Sequence, residues 1–192
     1  MLVQKAVTDI SKALQTPGWM EPAELSWLAE QAAQHQTIVE IGCWLGRSTR
    51  ALGDNTQGIV YAIDHWRGPS DEAYRGDFPL SPGQAFFQFC SNLDDLIQAG
   101  KVVPLRISSI AAASIVGDFS SVRPDMVFID GDHDEVSVTR DIETWWPLIR
   151  PSGILCGHDF HELWPGVGAA VSEFFASQQP HMNGIVPGTS IW

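Results

Sequence analysis

Residues 128–135 read FIDGDHDE: four carboxylates (Asp130, Asp132, Asp134, Glu135) and one histidine (His133) directly after a short apolar run. Such residues can hold a divalent cation on oxygen ligands, run acid–base chemistry through an imidazole, or solvate a loop. Two further stretches carry comparable chemistry. Glu40-Ile-Gly42-Cys43-Trp44-Leu45-Gly46 puts a carboxylate at the head of a glycine turn, and Gly157-His158-Asp159-Phe160 ends another apolar run.

The glycine turn narrows the ligand. A pyrophosphate seat needs G-x-G-x-x-G, whose glycines let the phosphates approach a helix N-terminus. Here the spacing is G-x-x-x-G, and the carboxylate of Glu40 ahead of it would repel a pyrophosphate while suiting a ligand with an ammonium group. Asp64 follows at the end of the next apolar run, where an acid commonly accepts hydrogen bonds from ribose hydroxyls.

These motifs need elements to carry them. Helical apolar spacing (Val3, Ala6, Val7, Ile10, Leu14) predicts a helix over 3–14, and EPAELSWLAEQAAQ a second one with Pro22 in its first turn. Then TIVEIG, GIVYAID, KVVPLRIS, PDMVFIDGD and SGILCGHDF read as five buried strands. Between and after them, GRSTRALGD, PGQAFFQFCSNLDDLIQAG, SIAAASIVGDF, EVSVTRDIETWWPLI and GVGAAVSEFFAS read as helices, and NGIVPGTSIW as a closing strand or strand pair. Strands alternating with helices imply an α/β fold of Rossmann-like type, a mostly parallel central sheet with helices on both faces. Ligands in such sheets bind at the carboxyl ends of the strands, and every motif above falls there. The irregular segment 67–81 has the length of a lid or binding loop.

Bulk composition removes other classes. The formal net charge is −12 and no basic run occurs, so neither nucleic acid nor an anionic membrane is an expected partner. Cys43, Cys90 and Cys156 are odd in number and widely spaced, as buried thiols of a reducing compartment are. No apolar stretch approaches 18 residues and the amphipathic N-terminus is not a signal peptide, so the expected location is cytoplasmic. The expected organisation is a single domain over 1–192, with N-terminal helices in 1–34 and a cofactor-binding core in 35–192. Eight Trp and the aromatic end SIW suit core, pocket or a homo-oligomer interface.

VEIGCWLGRSTRAL, VYAIDHW, DMVFIDGDHDEVSVTRDIETWWPLIRPSGILCGHDF and GVGAAVSEFF together resemble class I S-adenosylmethionine-dependent methyltransferases. The resemblance is to methyltransferase family 24, related to the catechol and caffeoyl-CoA O-methyltransferases. It implies a small-molecule acceptor and S-adenosylmethionine as cofactor. Gly42 and Gly46 would admit the methionine moiety, Glu40 would shape that end, and Ser48 would donate to its carboxylate. Asp64 would hold the ribose, with His65 and Trp66 near ribose or adenine and Ser108 or Ser109 flanking adenine. Relatives often carry an acid-bearing GDS where this chain has Ile107-Ser108-Ser109.

In those relatives the acid after the fourth strand and an acid after the fifth bind a divalent cation such as Mg²⁺. The matching positions are Asp130, which would otherwise contact the cofactor, and Asp159, with Phe160, which cannot ligate, at the third, while His158 or His161 could add a nitrogen ligand. His133 falls where relatives place a basic lysine, and an imidazole can take a hydroxyl proton there. Asp132 and Asp134 also suit the capping of the next helix. Asp141 is expected to be structural, and Trp145 and Trp146 to pack helix on sheet. Two rival classes are a cofactor-binding protein without turnover, which Phe160 would suit, and a nicotinamide oxidoreductase, against which the glycine spacing speaks.

Overall fold

Five strands, β1 (Thr37–Ile41), β2 (Ile59–Ile63), β3 (Val102–Leu105), β4 (Met126–Ile129) and β5 (Ile154–Gly157), form one wholly parallel sheet in the order β3-β2-β1-β4-β5. The computed structural model describes residues 7–68, 76, 79–118, 123–177 and 184–192. The helices are α1 (Pro22–Ala32), α2 (Arg47–Asn55), α3 (Pro82–Asn92), α4 (Asp94–Gln98), α5 (Ser109–Asp118), α6 (Glu135–Trp145) and α7 (Pro165–Ser177). The predicted α/β sheet with both faces covered is what the chain forms.

Each strand feeds two cores because successive side chains point to opposite faces. Ile38, Val60, Ala62, Met126 and Phe128 pack with Leu25, Leu28, Leu52 and Phe89 from α1 to α3. Val39, Ile41, Val127 and Ile129 pack on the other side with Val138, Ile142, Trp145 and Val171 from α6 and α7. Buried polar pairs hold the strand starts: Asp125 accepts from the amides of Gln36 and Thr37, each at 2.8 Å, and pairs with Arg150. Arg50, 3% exposed, joins α2 to α4 by pairing with Asp54 and Asp95.

Local chemistry sets the helix starts. Ser81 and Gln84 form a capping box ahead of Pro82, and Glu21 and Glu24 form one around Pro22. Asp134 accepts from the Ser137 amide at 3.0 Å and caps α6, as expected.

The N-terminal segment departs from expectation. Within the predicted helix over 3–14, residues 1–6 lie outside the described residues and only a 3-10 turn, Ala13–Gln15, forms in the rest. The Asp9 carboxylate accepts from the Ser11 amide, and Asp9 exchanges backbone bonds with the Asn55 side chain. Such side-chain bonds compete with a helical ladder. The long predicted helix over 82–100 is broken at Leu93 (φ −117°, ψ 15°), giving α3 and α4. Among the described residues after β5 no further strand forms. Trp192 and Gly157 exchange backbone bonds at 3.0 and 3.1 Å, and the Phe160 amide donates to the Ser190 carbonyl. Most of the expected lid over 67–81, namely 69–75 and 77–78, lies outside the described residues. Among the described residues, no helix is long and apolar enough to cross a membrane.

Candidate active site

The strand order reverses between β1 and β4, so their carboxyl ends diverge and leave a crevice. Gly42, just past β1, has φ 82°, and a Cβ there would stand 2.0 Å from the Asp130 carbonyl oxygen. Only glycine lets the turn run this close to the end of β4. Gly46, φ 91°, starts α2 in the left-handed region, with Leu93 and Phe89 pressed against it.

Asp64 locks this turn. Its Oδ2 accepts from the Cys43 and Trp44 amides, both at 3.0 Å, and its Oδ1 from the Trp66 amide at 2.6 Å. Oδ1 keeps capacity for one further donor. Beneath the turn lies Glu40, fully buried, with no hydrogen-bond partner for either carboxylate oxygen. Burial pushes its carboxyl up to about 7, and Asp130 adds to that against the nearby hydroxyls of Ser48 and Thr49.

A cleft of about 590 Å³ opens above, within the range of small-molecule sites. Of the expected cofactor residues, Gly42, Ser48, Asp64, His65, Trp66, Ser108, Ser109 and Asp130 border it, as do His133 and Asp159. Glu40 and Gly46 sit behind this wall and shape it from beneath. Trp66 is mostly a packing residue: it is 2% exposed, lies edge-on to Phe86 and Phe89, and donates from Nε1 to the Trp44 carbonyl. Ser108 accepts from the Ala111 amide at the start of α5, and Ser109 accepts from the Trp145 indole at 2.8 Å.

At the β4–β5 end, two carboxylates and two imidazoles interlock. His133 Nε2 stands 2.9 Å from Asp159 Oδ2, and its ring packs on Trp164 with centroids 4.0 Å apart. Asp159 has φ 63°, a left-handed conformation that its short polar side chain tolerates. His158 Nδ1 lies 3.4 Å from Asp130 Oδ1 and 3.2 Å from Asp159 Oδ1, while its Nε2 lies 3.0 Å from Glu24 Oε2. Burial disfavours the charged form of His158, yet Asp130, Asp159 and Glu24 overcome it and push the imidazole up to about 12. His133 is raised as well, since Asp159, Asp130 and Asp132 outweigh its burial. Asp159 is held low by the two imidazoles in spite of burial.

Sequence reasoning set Phe160 at a third ligand position, but its side chain packs against the α6–α7 core, and the residue beside Asp130 and Asp159 is His158. The donor atoms of Asp130, His133 and Asp159 all lie within 4.8 Å of one another, a spacing that a cation could bridge. Three of their four oxygens face an imidazole, however: both Oδ1 atoms face His158 and Asp159 Oδ2 faces His133. A divalent ion on Asp130, His133 and Asp159 would have to part His133 Nε2 from Asp159 Oδ2 and would lie against the His158 imidazole. The residues present do not fit it.

Several site residues had no readable signal. Glu24 and Trp164 belong to none of the strand-end motifs. Trp19 stacks on Trp44 at 5.9 Å along the cleft, and Arg47 pins that segment by donating to the carbonyls of Thr16 and Met20. Asp141, expected to be structural, borders the cleft with its carboxyl pushed by burial to about 6.

Residues 39–160 match the family model described as Methyltransferase domain. Among solved structures, an O-methyltransferase from Bacillus cereus in complex with SAH superposes with a TM-score of 0.63 at 17% identity, covering 93% of this chain and 82% of that one. A Staphylococcus aureus protein assigned as a caffeoyl-CoA O-methyltransferase gives 0.64 at 14% identity, covering 94% and 85%. A calicheamicin methyltransferase gives 0.63 at 13% identity, covering 88% and 76%. At these identities the likeness is one of fold.

Proposed function

We propose that this chain, which belongs to the methyltransferase-domain family and is a class I S-adenosylmethionine-dependent methyltransferase, methylates a hydroxyl oxygen of a small molecule with His133 as general base. The observation that carries this reading is the oriented imidazole: His133 borders the cleft, is held by Asp159 at 2.9 Å and packs on Trp164. The likeness in fold to an O-methyltransferase that binds SAH supports it.

The cleft suits the cofactor. The glycine turn gives a backbone cradle, Ser48 at the start of α2 can meet a carboxylate, and Asp64 Oδ1 can accept from a hydroxyl. Glu40 beneath and Asp130 beside the turn give a negative field for an ammonium and a sulfonium. When bound, S-adenosylmethionine supplies a sulfonium methyl that an oxygen nucleophile displaces in line.

His133 donates its Nε2 proton to Asp159, which leaves the lone pair on Nδ1. Nδ1 takes the hydroxyl proton as the oxygen forms its bond to carbon, and Asp159 then holds the imidazolium. In the ligand-free protein the acids around His133 favour its charged form. With a sulfonium in the same cleft, the His133 ring would be held nearer its neutral, basic state. Positioning supplies most of the rate, and the base a further 10²–10⁴-fold or about that.

Thermal melts test the cofactor: S-adenosylhomocysteine should raise the melting temperature and NAD should not, and stabilisation by NAD alone would sink the reading. His133→Ala should abolish turnover while keeping S-adenosylhomocysteine affinity within about tenfold, or roughly 1.4 kcal/mol. Turnover that survives would remove His133 as the base.

A further inference from the structure

We propose that His158 stands where a divalent cation would bridge Asp130 and Asp159, so that this protein neither takes up nor needs a metal for methyl transfer. The proposal deepens the methyltransferase reading and rests on it for the identity of the cleft.

The geometry is that of a built site. Three carboxylates converge on one imidazole: Asp130 and Asp159 on Nδ1 at 3.4 and 3.2 Å, and Glu24 on Nε2 at 3.0 Å. The side chains of His158 and Glu24 are only 10% and 7% exposed. Glu24 is itself fixed, since it accepts from the Ser190 amide and hydroxyl at 3.0 and 2.9 Å and from the Glu21 amide at 2.9 Å. The His158 carbonyl accepts from the Trp192 indole, and the Trp192 ring fills the space beside Gly157. Three separate parts of the chain therefore hold one imidazole against the two site acids. The ring thus occupies the place between the two aspartates that a bridging ion would take. Asp159 Oδ2 is meanwhile taken by His133.

A Mn²⁺ titration, followed by the electron paramagnetic resonance of the free ion, tests this directly. It compares the full chain with His158→Asp, each with and without S-adenosylhomocysteine. The wild-type protein should leave Mn²⁺ free and keep its turnover in excess EDTA. His158→Asp replaces the imidazole with a carboxylate and should bind Mn²⁺ at least about tenfold more tightly. Single-site Mn²⁺ binding by the wild type at micromolar concentration would overturn the proposal, as would EDTA inactivation reversed by Mg²⁺. If His158→Asp fails to fold, the wild-type titration and the EDTA experiment still uphold or overturn the proposal. A missing melting shift with S-adenosylhomocysteine would instead sink the functional reading, and the Mn²⁺ result would stand apart from it.

Discussion

Replacing Glu40 with Gln separates what this carboxylate costs the fold from what it gives the site. Glu40 is fully buried, neither oxygen has a hydrogen-bond partner, and its carboxyl sits at about 7 against an ordinary 4.5. Below pH 4.5 folded and unfolded chains both carry the proton, and the group costs nothing. Between about 4.5 and 7 the unfolded chain releases it while the folded chain keeps it, so stability falls as pH rises. Above 7 both forms are ionised and the loss is constant. A gap of about 2.5 in pH, at 1.36 kcal/mol for each, makes that loss roughly 3 kcal/mol.

Gln has the same shape and no proton to lose. Urea unfolding of both proteins at pH 5 and pH 8 gives a double difference in which other titrating groups cancel. The stability of Glu40→Gln relative to wild type should rise by about 2–3 kcal/mol between the two pH values. The same variant should bind S-adenosylhomocysteine about tenfold more weakly, because the negative field below the glycine turn is gone. A double difference under about 0.5 kcal/mol would refute the reasoning, since Glu40 would then be solvated or paired in the folded chain. A destabilising acid that sharpens binding would be strain kept for function.

Other substitutions probe the frame. Gly42→Ala combines φ 82° with a Cβ 2.0 Å from the Asp130 carbonyl, and should cost more than about 3 kcal/mol in urea unfolding and abolish the melting shift with S-adenosylhomocysteine. Asp125→Ala strips the partner of the Gln36 and Thr37 amides and of Arg150, and should lose about 3–5 kcal/mol by the same assay with cofactor affinity unchanged in the molecules that remain folded.

The sheet was legible because its signals are local. MVFI and GILC are short apolar runs that only a doubly covered strand needs, and the motifs at their ends fell at one edge once the strands were placed in parallel. Helix limits were less so. Nothing in 82–100 announces the break at Leu93, whose side chain turns into the core beside Gly46. Over the described residues 7–14 the Asp9–Asn55 bonds, 46 positions apart, stand where helical bonds were expected. Of the site, Gly42, Asp64, Asp130, His133 and Asp159 were readable because each belongs to a strand end. Phe160 was read as the gap in a ligand set because counting along GHDF cannot show which side chains turn toward Asp130.

That choice of direction depends on partners far away in the chain. His158 faces Asp130 with Glu24 of α1 behind it, and Glu24 is in turn tied to Ser190. The tie from Glu24 to Ser190 alone spans 166 positions, beyond any periodicity. A cation supplied by the chain itself differs from one taken from solution in a physical way. Its presence is fixed by docking α1 and the last residues onto β5 rather than by metal concentration. Burying His158 without Glu24 would leave an imidazole pulled only from the side of the site acids, free to swing toward the cleft. Glu24 Oε2 lies 3.0 Å from the other nitrogen, a charge pairing without hydrogen-bond geometry. Through this pairing α1, which carries no strand-end motif, reaches the residue that lies between the two site acids.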